Sequence, residues 1–375
     1  MKKFFIKTFI FAALTAALAS CAKDNEPQAT PEPEITNGQT GTINFKFETK
    51  GLSDTEGTKT VPYQYAKDNF RILAFKKADN GNDYVFLKEV PLDGMQYSGS
   101  TLDGTAELPI GEYKFVPTYN LKAPVCFTFP ELTGMPLAEE LAITHTSGSL
   151  PAIYAESRPY AELPSYVLGT TSNPNQTVTS SMTRSVSRID VLFIRADKDE
   201  TTGKYTPKTG EHIFGGDLPA SVTMKLTGLN PSLSLTGRCL TAGATPFDTD
   251  YAVPDLDNYI TMGSGTEMEV GTDVFSDYDN VRPENIISGS AHLHGAYVVP
   301  NEDATGTVGL EMVLVPKTGT SRTITVPVKL PVQRNMVTLV TVYVRSGNVF
   351  TTNVDYNVTV DTVWEGTHAT DTEIN

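Results

Sequence analysis

Apolar residues in this 375-residue chain recur at every second position in short runs, and almost never at the three-to-four spacing of a helix. Ile43, Phe45 and Phe47 alternate with Asn44, Lys46 and Glu48, which gives one apolar and one polar face. Phe70 to Phe75 reads as a mostly buried strand, and Tyr84 to Val90 as a second after the turn Asp79-Asn80-Gly81. Ala106 to Leu108 and Tyr113 to Val116 flank the turn Pro109-Ile110-Gly111, where glycine suits a tight backbone. Further strands are predicted at 186–195, 221–228, 295–299, 307–315, 321–329, 336–345 and 354–364. The best helical stretch, Pro136 to Leu141, allows a single turn. Many short strands separated by turn residues specify an all-β chain of β-sandwich domains. Tyr113, Phe115 and the Val/Leu run of 336–344 are candidate sandwich interiors, and Arg334-Asn335 reads as a turn or edge cap.

Composition divides the chain. Gly169 to Met182 is mostly Thr, Ser, Asn and Pro, a linker-like stretch that places a boundary near 180, between domains at 41–180 and 181–375. Residues 240–290 are rich in Asp, Gly and Thr, and are long for a loop within a compact domain, as a functional insertion is. No internal repeat of fixed period is present.

Lys2 and Lys3 precede an apolar run from Phe4 to Leu18, and the small residues Ala19 and Ser20 then lead to Cys21. The pattern resembles a bacterial lipoprotein signal over residues 1–20, cut between Ser20 and Cys21, with Cys21 acylated; the plainer alternative is an ordinary signal peptide with an incidental cysteine. Residues 21–40 are rich in Pro, Glu, Thr and Asn and read as a flexible tether. Asp24 does not directly follow Cys21, so the usual signal for inner-membrane retention is missing and a lipid-anchored place on the outer membrane, at the cell surface, is expected. No other apolar run approaches the ~20 residues of a membrane-spanning helix. Removing residues 1–20 takes away Lys2, Lys3 and Lys7 and moves the formal charge from −15 to −18. An acidic surface argues against nucleic acid as a partner and keeps an exposed protein soluble. Cys126 and Cys239 fall in different halves; one disulfide is open to them, and two unpaired buried thiols are the preferred reading.

The order of segments resembles one family. Leu108-Pro109-Ile110-Gly111-Glu112-Tyr113-Lys114-Phe115 resembles the L-P-x-G-x-Y-x-F turn of fimbrillin-type proteins. Arg184-Ser185-Val186-Ser187-Arg188-Ile189-Asp190-Val191 is similar to their basic lead-in to a second domain. Val332-Gln333-Arg334-Asn335, an alternating strand, and a last strand ending at Trp364 are similar to their C-terminal signature. The family supplies shaft, tip and anchor subunits of the type V pili of Gram-negative gut and oral anaerobes, so the resemblance implies two transthyretin-like β-sandwich domains. It also implies cell adhesion through pili built by proteolysis-triggered strand exchange between neighbouring subunits. The lipidated precursor is cut after its first strand, and an extended segment of the next subunit fills the groove that strand leaves. Here the removable strand is 41–49, with Ile43, Phe45 and Phe47 as its plug, and Lys50-Gly51 and Lys59-Thr60 are the candidate cut sites. The family's better-studied members are cut after arginine, and no arginine lies between Cys21 and Arg71. The candidate donor is the last strand, whose Val354, Tyr356, Val358, Val360 and Trp364 share a face; the same alternation suits an ordinary half-buried strand.

Little in the chain points to an enzyme or a cofactor. His145, His212, His292, His294 and His368 are the histidines, and only His292 and His294 are close. Their spacing puts both imidazoles on one face, but no third ligand is near in sequence, so a solvated strand end is expected and no metal site is assigned. No Gly-x-Ser-x-Gly or His-Glu-x-x-His occurs. Asp248, Asp250, Asp255 and Asp257 match no calcium-binding loop. Tyr251, Tyr259, Phe275 and Tyr278 are candidate sugar-stacking residues for a surface glycan, the alternative to a pilus role alongside a non-polymerising anchor.

Overall fold

A period of two lets each run bury one row of side chains while its backbone pairs sideways, and the computed structural model is built of such strands. It describes residues 40–48, 69–91, 93–98, 101–121, 126–137, 141–169, 176–237, 245–268, 283–301, 306–351 and 354–361. In the first half the strands are β1 (Thr40–Glu48), β2 (Phe70–Lys77), β3 (Tyr84–Glu89), β4 (Gln96–Ser98), β5 (Thr101–Pro109) and β6 (Gly111–Tyr119). They are followed by β7 (Phe127–Thr128), β8 (Ala142–His145), β9 (Tyr154–Glu156), β10 (Tyr166–Leu168) and β11 (Thr177–Arg184). The second half opens with β12 (Ser187–Lys198), β13 (Tyr205–Pro207), β14 (Ser221–Leu229), β15 (Ser232–Ser234), β16 (Phe247–Ala252) and β17 (Ile260–Met262). It closes with β18 (Ala291–Val298), β19 (Gly309–Val315), β20 (Arg322–Thr325), β21 (Val337–Val344) and β22 (Val354–Asp361). A four-residue helix, α1 (Leu256–Tyr259), precedes β17.

In the first half one sheet runs β3-β2-β6-β9-β11-β1-β5-β4, with β10 beside β6. The second half holds two sheets, β17-β18-β12-β21-β22 with β13 beside β12, and β16-β14-β19-β20. The two halves share a device. The opening strand of each lies between an antiparallel neighbour and a parallel one from late in the same half: β5 and β11 around β1, β18 and β21 around β12.

Each half has its own core. Phe45, Phe47, Ile72, Phe75, Tyr113 and Phe115 lie in the first, and Val191, Phe193, Met224, Leu310, Val340 and Val342 in the second. The opposite face of β12 and β21 is also covered, with Leu192, Ile194, Leu339 and Tyr343 against Ile286 and Ile287. Burial on both faces explains why Val191-Leu192-Phe193-Ile194 reads as an unbroken apolar run. The halves are joined by backbone pairing. β15 pairs with β8 in a small third sheet, Leu150 bridges Tyr297, and Leu233, Leu235, Tyr297 and Val299 enter the first core. Arg334-Asn335 is the turn expected of it. Asn335 adopts φ 55°, its amide donates to the Val186 carbonyl at 3.2 Å, and Arg334 Nη2 donates to Ser185 Oγ at 2.9 Å.

Three expectations change. Residues 177–182 of the supposed linker are the first three-quarters of β11, because threonine suits a strand and Val178, Ser180 and Met182 turn inward. The 240–290 region carries β16, α1 and β17 among its described residues. Cys126 is a free thiol but only partly buried; Cys239 lies outside the described residues. The helical turn at Pro136 to Leu141 cannot be followed, since 138–140 lie outside them too, while Pro136 itself bridges Val85.

One buried ion cluster pins β12 to β18. Asp190 accepts from Arg188 Nε at 2.7 Å and Nη2 at 2.5 Å, from His292 Nε2 at 2.9 Å and from the Gly295 amide at 3.1 Å. Burial pushes the carboxyl up, but the Arg188 charge and the His292 bond outweigh it and hold Asp190 well below the usual carboxylate range. The register of β12 on β18 shifts between Ile189 and Val191, which aims Asp190 at Gly295. A Cβ on Gly295 would stand 1.9 Å from the Ile189 carbonyl oxygen, so only glycine allows the strands this close. Gly295→Ala is expected to lower unfolding free energy by about 1–3 kcal/mol, read as a lower midpoint in urea denaturation.

Candidate functional site

The first strand is held on both edges. β1 makes nine antiparallel pairs with β5, from Thr40–Pro109 to Glu48–Thr101, and five parallel pairs with β11, from Asn44–Thr177 to Glu48–Ser181. Its inner row, Ile43, Phe45 and Phe47, is fully buried, while Asn44 and Lys46 face outward. At about 1.5–3 kcal/mol per buried large apolar side chain, the three together hold the strand with roughly 5–9 kcal/mol.

Phe45 is the hub of that row. Its ring lies 5.7 Å from Phe47 and meets Phe115 edge-on at 5.1 Å, and Phe115 stands 5.8 Å from both Tyr113 and Tyr166. Opposite Phe45 on β5 stands Gly104, and a Cβ there would lie 2.7 Å from the Met95 Cα. Glycine thus lets the chain at Met95 cross close over β5 and bury Met95 in the same core. Tyr113 donates its hydroxyl to the Pro109 carbonyl at 2.6 Å, and burial pushes its phenol up. The far end of the row is polar: Phe47 pairs with Ser180, whose Oγ donates to Glu156 Oε2 at 2.5 Å. Glu156 is itself buried and takes two bonds from the Arg158 guanidinium, each at 2.8 Å, and a third from the Arg158 amide at 3.1 Å.

β22 differs in its pairing. It makes eight antiparallel pairs with β21 at the margin of its sheet, and its outer edge has no strand partner among the described residues. Val354, Tyr356 and Val358 pair with Val344, Val342 and Val340 of the second core, and Val360 pairs with Thr338. The other predicted positions, Ser20, Cys21, Lys50, Gly51, Lys59, Thr60 and Trp364, lie outside the described residues, as do His368, Phe275 and Tyr278.

The histidine pair is not a solvated strand end. β18 lies between β17 and β12 with both faces covered, so His292 and His294 are each 3% exposed. His294 stacks on Tyr259 at 5.4 Å, and neither of its ring nitrogens has a hydrogen-bond partner among the described residues. No three potential metal ligands converge among those residues. Tyr251 and Tyr259 are half-buried against the second core rather than presented as open platforms. Asp248 accepts from the Gly228 amide at 2.9 Å, and the Asp255 side chain accepts from Asn258. Sequence reading missed Gly104, Met95 and the Glu156–Ser180–Arg158 group; a lone glycine inside a strand pattern was the one available signal.

No protein-family model matches the sequence, and no curated protein matches it. Among solved structures the chain is similar to a candidate cell-adhesion protein from Bacteroides ovatus, at 12% identity and a TM-score of 0.41, over 86% of this chain and 97% of that one. It is similar to a fimbrial assembly protein from Parabacteroides distasonis, at 11% identity and a TM-score of 0.35, over 86% and 99%. The fimbrial anchor protein Mfa2 from Porphyromonas gingivalis matches at 11% identity and a TM-score of 0.37, over 86% and 96%.

Burial, then the Arg188 charge, drives the His294 pKa well below its ordinary value. The folded chain therefore refuses a proton that the unfolded chain accepts near pH 6.5, so this stability is complete above that pH and is lost as pH falls below it. His145, depressed mainly by burial, acts in the same direction. Thermal midpoints are expected to drop between pH 7.5 and 5, and His294→Phe is expected to flatten that slope.

Proposed function

We propose that the protein is a lipid-anchored, fimbrillin-like surface protein of two sandwich domains divided near residue 180. In this reading it is a structural or tip subunit of adhesive pili that polymerise by strand exchange. The observation that carries the reading is the place of β1. The first described strand is a wedge between β5 and β11, so its loss opens a groove with two unpaired edges and an apolar floor. Such a groove is a template for an added strand. Lys50-Gly51 or Lys59-Thr60 supplies the cut, and Cys21 supplies the lipid that brings the precursor to the outer membrane. A neighbouring subunit supplies the donor, with β22 (Val354, Tyr356, Val358, Val360, continuing to Trp364) as the candidate. Its outer edge lacks a strand partner among the described residues, so leaving its own sheet breaks one ladder, whereas filling the groove makes two.

A second reading has a specific support. No arginine lies between Cys21 and Arg71, so a protease that requires arginine leaves β1 in place. The chain would then be a pilus anchor that keeps both lipid and wedge. A glycan-binding role gains nothing from Tyr251 and Tyr259, which pack against the core.

Mass and N-terminal sequence of the surface-exposed protein test the choice. A polymerising subunit begins at Gly51 or Thr60 and carries no lipid. A form beginning at acylated Cys21 contradicts the subunit reading and supports the anchor.

A further inference from the structure

We propose that the groove is read at one position by an aromatic side chain, and that β22 of a second copy enters in the register that sets Tyr356 where Phe45 stands. The inference rests on the strand-exchange reading above. Three sites are left along the groove when β1 departs, and they differ. The Ile43 site faces Ala106, the Phe47 site faces Leu102 and Ser180, and the Phe45 site faces Val178 on β11 and, on β5, Gly104, which projects no side chain. The ring in that middle site is met edge-on by Phe115, which in turn neighbours Tyr113 and Tyr166. A planar ring fills such a place through edge-to-face contact, and an aliphatic side chain leaves a void.

The inward row of β1 reads aliphatic, aromatic, aromatic; in sequence, one alternate row of β22 reads Val354, Tyr356, Val358, Val360, with one aromatic in the strand. Setting Tyr356 on the Phe45 site puts Val354 on the Ile43 site and Val358 on the Phe47 site. Asp355 and Asn357 then take the outward places of Asn44 and Lys46. The incoming strand runs parallel to β11 and antiparallel to β5, as β1 does, so both ladders are reused. A slip of two residues in either direction puts a valine in the Phe45 site, the one that the Phe115 ring meets edge-on.

Cysteine pairs across the groove measure the register directly. Asp103 of β5 pairs with Lys46, so in this register it faces Asn357 of the donor. The test uses the full chain carrying Cys126→Ser and Cys239→Ser, clipped at Lys50 or Lys59 and allowed to assemble. Asp103→Cys with Asn357→Cys is expected to give disulfide-linked ladders of subunits, since directly opposed strand residues lie within disulfide reach. Linking instead through Asp103→Cys with Asp355→Cys, or with Thr359→Cys, overturns this register and leaves strand exchange standing. Failure of all three pairs to link overturns β22 as the donor. In the linking pair, Tyr356→Phe is expected to keep the rate of ladder formation and Tyr356→Ala to slow it at least about tenfold. An unchanged rate for Tyr356→Ala overturns the aromatic site.

Discussion

The parallel ladder between β1 and β11 joins the first described strand to the strand that ends the first half, and it decides how that half is built. Without β1, β5 and β4 lose, among the described residues, their ladder to the remaining strands of the sheet and keep only the chain turn from β5 into β6. Ile43, Phe45 and Phe47 therefore lie in the core of that half, and the proposed strand exchange would remove all three at once. Their burial, at roughly 5–9 kcal/mol, is comparable to the whole stability of an ordinary domain. If the chain is cut after β1 as proposed, burial of this size keeps β1 in place until a competing strand displaces it. Under the proposed strand exchange, such a precursor is stable alone and reacts only with a partner that offers an equivalent strand.

The second half uses the same arrangement for the opposite purpose. β12 sits between β18 and β21 as β1 sits between β5 and β11, yet it is covered on both faces and tied by the Arg188–Asp190–His292 cluster. Breaking a buried pair of this kind leaves an uncompensated charge and costs about 3–5 kcal/mol. β12 is tied by buried charge, a constraint that β1, the strand proposed to exchange, does not share. The pairing of β15 with β8 and of Leu150 with Tyr297 then makes the second half a support for the first, with the groove held on a frame that does not depend on β1 alone.

Much of the fold was legible because alternation is local. Each run predicted as a strand overlaps one, though 321–329 is a strand only at Arg322–Thr325, 295–299 is the end of β18 and 362–364 lie outside the described residues; Phe45, Tyr113 and Phe115 lie in the core as their pattern required. β11 was misread because serine and threonine serve loops and strands alike, and only its partner β1 decides between them. His292 and His294 were misread for the same reason: their burial is set by β12 and β17, which no residue near them in sequence reveals. The wedge itself needed the long-range pairing of Phe45 with both Gly104 and Val178. Alternation at 43–47 announced a strand, and nothing local announced that it stands in the middle of a sheet.

Hydrogen exchange at the amides of β5 and β11 tests the central claim most directly, compared in the full chain, in the clipped chain freed of β1, and in assembled protein. Protection is predicted in the first, loss of it along both strands in the second, and its return in the third. Protection that persists on β5 and β11 after β1 has gone contradicts the account, because the groove would then close without a donor.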